Sequence, residues 1–328
     1  MNMTVQITIV GLGQIGASAG MALEQHKTML HRVGHDKSPE TAKTAQSKGA
    51  VDDIKYNLPA AVREAKIVLL SLPVNEIRET LDVIAQDLPE GAVVMDTAPV
   101  KGAVAAWMQE KLPEGRYYVG LSPAINPEYL HRNELGVESA TADFFQNGLI
   151  SLNTLLGTPE EAVKLATDLI HLLGATPLYG DMLETDGLMS STHLVPQLMA
   201  AALLNAVVDQ PGWNDARKLA GRPFAALTSA LAYQDEIDSL SEAAILNSEN
   251  VARVLDIVIG SLQGLRNDIA EGNREDVAER LELALEGRRR WLAERMQANW
   301  SEGERPDLSK LPSIGERLLG SLGSPRKK

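Results

Sequence analysis

The stretch "ITIVGLGQIGASAG", residues 7–20, constrains the fold of this chain more than any other. A β-rich run, Val5–Val10, ends at Gly11, and a segment with helical character, Gln14–Glu24, follows. Gly11, Gly13 and Gly16 lie between and within them in the spacing Gly-x-Gly-x-x-Gly. A strand that passes through such a turn into a helix needs the tight turn at Gly11, an open backbone at Gly13 and close helix–strand packing at Gly16. The first amides of the helix, at Gln14 and Ile15, then present free N–H groups and partial positive charge to a diphosphate. The second strand ends at Asp36, twenty residues beyond Gly16. A carboxylate there accepts ribose hydroxyls and repels a 2′-phosphate, so the expected cofactor is NAD. Lys37 beside it softens that preference and keeps NADP as the second choice.

The rest of the first half alternates in the same way. Strand-like runs at Met29–Gly34, Ile67–Leu72, Ala92–Met95, Tyr117–Gly120, Leu149–Leu152 and Thr176–Tyr179 are separated by helical segments at Pro39–Lys48, Val74–Gln86, Lys101–Lys111 and Glu160–Leu173. Such alternation predicts an α/β domain with a doubly wound, mostly parallel sheet over residues 1–179. Ligands of open α/β sheets bind outside the carboxyl ends of the strands. Ser71, Leu72, Pro73 and Thr97 are therefore expected beside the cofactor. Lys101, at the start of the next helix, reads as a carboxylate-binding or proton-handling residue, or as a solvated first-turn lysine.

From about Gly180 strand signals stop. Leu188–Val208, Phe224–Tyr233, Ser241–Ala270 and Arg274–Gln297 all read as helices, predicting an all-helical substrate and dimerisation domain over residues 180–300 and a flexible tail over 301–328, with a docking turn at Ile314–Leu319. The third helix, about thirty residues long, is long for a globular domain and suits either a dimer interface or a monomeric bundle.

Composition narrows the classes of function. The net charge of −13 opposes non-specific nucleic-acid binding. The lack of cysteine excludes disulfides and thiolate metal sites, and no metal is expected. The amino terminus runs directly into strand residues without a basic leader, and the most apolar stretch, Leu194–Val208, is too short for a membrane span. A cytoplasmic protein with a small-molecule substrate and no membrane partner is expected.

"ETDGLMSSTHLVPQLMAAALL" holds the most informative pattern of the second half. Asp186, Ser190, His193 and Gln197 recur at spacings of 4, 3 and 4, a polar stripe along an apolar helix. Buried polar groups need partners, so the stripe either bonds within the bundle or lines a wet site. Pro196 removes a backbone bond and is expected to kink the helix beside His193. In "GLSPAINP", residues 120–127, the loop beyond the Tyr117–Gly120 strand, Ser122 and Asn126 read as hydrogen-bonding groups that shape a pocket. The expected catalytic residues are His193, Lys101, Ser122 and Asp186, with Asn126, Ser190 and Gln197 binding substrate.

Taken in order, "GLGQIGASAGMAL", "LLSLPV", "MDTAPVKG" and "THLVPQLMAAALL", together with the long helices and Asn250, resemble the prephenate/arogenate dehydrogenase family. The resemblance implies a Rossmann domain, a helical dimerisation domain like that of 6-phosphogluconate dehydrogenases, a homodimer, and oxidative decarboxylation in tyrosine biosynthesis. It also exposes departures. Where the family carries Gly-x-His-Pro, this chain has Gly120, Leu121, Ser122 and Pro123. Pro99 stands for the family serine before Val-Lys, Thr185 for the histidine before Asp186, and Ser229 falls near the family's substrate-binding arginine. His193 matches a family histidine. The cofactor residues agree and most substrate residues do not, which implies a dehydrogenase with an altered substrate or altered chemistry. The alternatives are another hydroxy-acid dehydrogenase or imine reductase of the same plan, or a nucleotide-binding protein without catalysis.

Overall fold

The computed structural model describes residues 4–233 and 237–298. Its centre is an eight-stranded sheet: β1 (Val5–Val10), β2 (Leu30–His35), β3 (Asp53–Ile54), β4 (Ile67–Leu70), β5 (Val93–Asp96), β6 (Tyr117–Ala124), β7 (Leu149–Thr154) and β8 (Thr176–Gly180). The spatial order is β3-β2-β1-β4-β5-β6-β7-β8, parallel throughout except for the antiparallel β6–β7 pair. This is the doubly wound Rossmann sheet expected from the alternation. Because β1 lies between β2 and β4, its two neighbouring connections leave in opposite directions and open a crevice at its carboxyl end.

Helices α1 (Gln14–Ala22), α2 (Pro39–Ser47), α3 (Leu58–Val62), α4 (Val74–Ile84), α5 (Lys101–Lys111) and α6 (Glu160–Leu172) cover both faces. Each has a local reason to start where it does. Ser38 and Asn57 accept the amides of Thr41 and Ala60 as caps of α2 and α3. In α4 the buried positions Val74, Ile77, Leu81 and Ile84 recur at helical spacing. One core packs Ile7, Ile9, Val119 and Leu121 against α1 and α6. The other packs Val68, Leu70, Val94 and Tyr118 against α4 and α5 and continues without a gap to Leu194, Leu240 and Val251. At roughly 25 cal/mol per Å² of apolar surface removed from water, that continuous core binds the sheet to the bundle.

The bundle comprises α7 (Met182–Met189), α8 (Val195–Val207), α9 (Trp213–Leu219), α10 (Arg222–Thr228), α11 (Ile237–Leu246), α12 (Ser248–Glu271) and α13 (Arg274–Gln297). The long helix expected over Ser241–Ala270 is broken at Asn247, whose backbone leaves helical geometry while its side chain binds inward to α7. Strand β6 runs past Gly120 to Ala124, so Ser122 lies in the sheet, opposite Ser151 of β7, and not in a loop. The short β3 and α3 were not legible from periodicity. Arg295, near the end of α13, donates to the carbonyl of Ile125 at 2.6 Å and ties the last helix back to the segment after β6. Among the described residues no helix is long and apolar enough to cross a membrane. The expected tail and its docking turn lie outside the described residues.

Candidate active site

The glycine turn sits at the sheet's crevice. Gly11 has φ +90°, and a methyl group there would meet the carbonyl of Ser71 at 2.2 Å. Gly16 is closed off in the same way by the Gly11 carbonyl, whereas Gly13 faces open space. The turn is thus packed on its inner side and bare on its outer side, which is the shape needed for a diphosphate to approach the amides that open α1. Asp36 receives the amides of Leu12 and Ser38, each at 2.8 Å, and so holds the turn from the end of β2. Lys37 is drawn to Glu76 at 2.5 Å, which turns a positive charge away from a 2′-phosphate. These residues fit NAD.

A cleft of about 240 Å³ opens from the turn, lined by Gly13, Gln14 and Ile15, by Ser71–Val74, by Thr97–Pro99, and by Pro123 and Leu135. The bundle closes it with Met189, His193 and Leu194 on one side and Ser239, Leu240 and Ala243 of α11 on the other. The segment between β6 and β7 straps over α1. Gln14 donates to the carbonyl of Glu134 at 3.2 Å, and the amide of Thr141 donates to Ser18. The contribution of α11 was missed in the sequence because its lining residues are ordinary core types at helical spacing.

His193 stands on a π-helical turn, Ser190–Leu194, between α7 and α8. The expected kink at Pro196 takes this form because proline supplies no amide to the carbonyl of Thr192, and the wider turn lets Val195 donate to Ser190 instead. Burial pushes the imidazole below its ordinary pKa of 6.5, so the ring is neutral near pH 7 and able to accept a proton.

Behind the cleft wall lies a buried ionic cluster. Lys101 is fully buried, its Nζ 2.7 Å from Oδ2 of Asp96, and the hydroxyl of Tyr118 donates to Oδ1 at 2.7 Å. Asp96, which the sequence analysis did not single out, is the hub of the cluster. Burial pushes the Lys101 ammonium down, opposed by the carboxylates of Asp96 and Asp186. Lys101 is therefore neither solvated nor part of the cleft lining. Asp186 accepts the backbone amides of Lys101 and Gly102 at 2.5 and 2.9 Å, neutralising the amino end of α5. Burial raises its pKa, opposed by those two bonds.

The remaining candidates separate by environment. Asn126 caps its own turn, accepting from Glu128 and donating to the carbonyl of Asp143, so its amide serves the strap. Ser190 donates to the carbonyl of Asp186 and accepts from Asn247. Gln197 donates to the carbonyl of His193 at 2.9 Å. Ser122 Oγ and Gln197 Oε1 are buried without a hydrogen-bond partner. Thr185, Asn153 and Ser151 bond to one another close to Gly180. Among the described residues no group of three His, Cys, Asp or Glu side chains is arranged to hold a metal ion.

Residues 19–178 match the family model described as the nucleotide-binding domain of prephenate dehydrogenase. The cyclohexadienyl dehydrogenase of Zymomonas mobilis is 24% identical over 284 residues, 86% of this chain and 94% of that protein. The prephenate dehydrogenase of Bacillus subtilis is 26% identical over 200 residues, 61% of this chain and 53% of that protein. Among solved structures, prephenate dehydrogenase from A. aeolicus in complex with hydroxyphenyl propionate and NAD+ superposes with a TM-score of 0.76 at 22% identity, covering 88% of this chain and 98% of that one. Synechocystis arogenate dehydrogenase gives 0.68, again at 22% identity, over 88% of this chain and all of that one.

Proposed function

We propose that this chain, whose residues 19–178 match the nucleotide-binding domain of prephenate dehydrogenase, is an NAD-dependent dehydrogenase of that family whose substrate sits between the sheet and the bundle. The observation that carries this reading is the bare outer side of Gly13, which opens into the same cleft that His193 lines from the opposite wall. Bound NAD supplies the hydride acceptor. The amides opening α1 hold its diphosphate, Asp36 meets the adenosine ribose, and Ser71–Pro73 with Thr97 flank the route to the nicotinamide end. His193, neutral and half-buried, takes the proton of the substrate hydroxyl at its ring nitrogen. The bundle excludes water from that transfer.

Lys101 and Asp186 act one step back. The Lys101–Asp96 ion pair and the Asp186 cap fix the start of α5, and with it Thr97–Pro99 in the cleft wall. Ser122, on β6 between β5 and β7, keeps a buried hydroxyl without a hydrogen-bond partner. With serine where the family carries histidine, and no arginine or lysine in the cleft lining among the described residues, the substrate differs from prephenate. The direct test is NADH formation with prephenate and arogenate beside calorimetric titration with NAD. Binding of NAD with turnover far below that of the family supports this reading; family-like turnover refutes the altered substrate, and no NAD binding refutes the oxidoreductase.

The same reading includes a homodimer built on α12 and α13. Ile257, Ile259, Leu262 and Ile269 of α12 and Leu281, Leu283 and Leu285 of α13 are exposed. Apolar residues clustered on neighbouring helices are the usual mark of an interface.

A further inference from the structure

We propose that Asn247 is a positioning residue for the reaction: its side-chain amide holds the turn that carries His193 and so sets the direction in which the imidazole enters the cleft. The proposal rests on the dehydrogenase reading above and adds to it a residue that does not line the cleft.

Asn247 stands between α11 and α12 at φ −116° and ψ 31°. Its backbone still serves both helices, since its N–H donates to the carbonyl of Ala243 and its own carbonyl accepts from Val251. The buried side chain turns inward. Its Nδ2 donates to the carbonyl of Asp186 and to Oγ of Ser190, each at 2.8 Å. Ser190 Oγ donates to the same Asp186 carbonyl, again at 2.8 Å. Three polar groups thus close a triangle across the end of α7. Asn247 Oδ1 accepts from Asn250 at 2.9 Å, and Asn250 accepts from Arg253 at 3.1 Å. Both hydrogens of the Asn247 amide and its oxygen are engaged, which fixes its plane.

That triangle sits where the π-helical turn departs. Ser190 is the first residue of the turn, and its carbonyl accepts the Val195 N–H that closes it. At the far end Gln197 Nε2 donates to the carbonyl of His193. Between the two clamps Pro196 offers no N–H to Thr192. A widened turn that has lost a bond of its own ladder takes its shape from the groups that hold it outside the ladder. The two clamps differ in what they can fix. Gln197 belongs to the same helix as His193 and moves with it. Asn247 comes from a separate segment and ties the turn to the rest of the bundle. The imidazole lies three residues beyond the held Ser190, so a small rotation there carries the ring across the cleft wall. A misplacement of about 1 Å at a reacting group can cost about a hundredfold in rate.

The test uses the full-length protein with labelled histidine, followed by NMR, and needs no substrate. The signal of His193 is assigned by its loss in His193→Ala. In the wild type it should titrate below 6.5, because burial and no neighbouring charge lowers its pKa, and it should move when NADH is added, since the ring lines the same cleft as Gly13–Ile15. Asn247→Ala should bring the titration up toward 6.5 and at least halve the response to NADH, while NADH affinity stays within about threefold of the wild type. Ser190→Ala, which leaves Asn247 bonded to the Asp186 carbonyl, should give a smaller change of the same sign. Asn250→Ala removes only the outward bond and should leave the His193 signal as it is. An unchanged titration and NADH response in folded Asn247→Ala overturns the proposal. So does a loss of NADH affinity in step with the His193 change, which marks a loosened bundle and no specific aim of the ring. Where Asn247→Ala does not fold, Ser190→Ala decides by the same two readouts. A wild-type protein that binds no NADH overturns the dehydrogenase reading instead, and the titrations still report whether Asn247 holds the ring.

Discussion

The carboxylate of Asp186 accepts the backbone N–H of Lys101 at 2.5 Å, across 85 residues of sequence. A helix of the bundle thereby caps a helix of the nucleotide-binding layer. Asp186→Ala removes this contact and leaves the Lys101 and Gly102 amides without their acceptor. It should lower stability by about 1–3 kcal/mol in urea denaturation. Asp186→Asn retains an acceptor and should lose less.

The Lys101–Asp96 pair should behave as a unit. Lys101→Met leaves the Asp96 carboxylate buried without its cation and should cost about 3–5 kcal/mol. Adding Asp96→Asn in the same chain removes the stranded charge and should recover much of the loss. Thermal unfolding of the two single variants and the double variant measures the coupling.

Gly13 and Gly16 separate binding from folding. A methyl group at Gly16 would lie 2.0 Å from the Gly11 carbonyl, so Gly16→Ala should lower the melting temperature and NADH affinity together. At Gly13 a methyl meets nothing within 4 Å and projects into open space. Gly13→Ala should leave the melting temperature unchanged and weaken NADH by about tenfold or more, read by fluorescence titration.

His193→Ala should reduce turnover by about two to four orders of magnitude, as for removal of a general base. The pH profile gives an independent reading. Burial lowers the imidazole pKa, and the neutral ring is the active form. The acid limb of kcat/KM should therefore lie below 6.5, the ordinary histidine value, with activity lost as the pH falls through it. The residual activity of the alanine variant should lack that limb.

Leu262 and Ile269, seven residues apart on one side of α12, are both exposed. If this face joins two copies, Leu262→Asp with Ile269→Asp should convert a sedimenting dimer to a monomer without loss of helix content. A wild-type protein that sediments as a monomer at high concentration would remove the homodimer from the proposed function.

The sheet and the glycine turn were legible because their signals are local: apolar runs, fixed glycine spacing, an acid at the end of the second strand. The ionic cluster was not. Lys101 looks like any first-turn lysine until Asp96 and Tyr118, from two separate strands, close on it. Asn126 and Asn247 show the same limit from opposite sides. The first reads as a pocket donor and instead caps a local turn; the second lies unremarked within a helical run and instead interrupts it to reach Asp186 and Ser190. Side-chain partners distant in sequence decide such cases.

The wide turn at Ser190–Leu194 has one more consequence. It contains a residue beyond what a regular helix of the same height would use, and each helical residue advances the chain by about 100°. That surplus residue sets the angular offset between Asp186, turned toward α5, and His193, turned toward the cleft. Deleting Ser191 or Thr192 should straighten the rod and still fold, yet swing the imidazole off its wall, so the phase of this helix is itself part of the catalytic geometry.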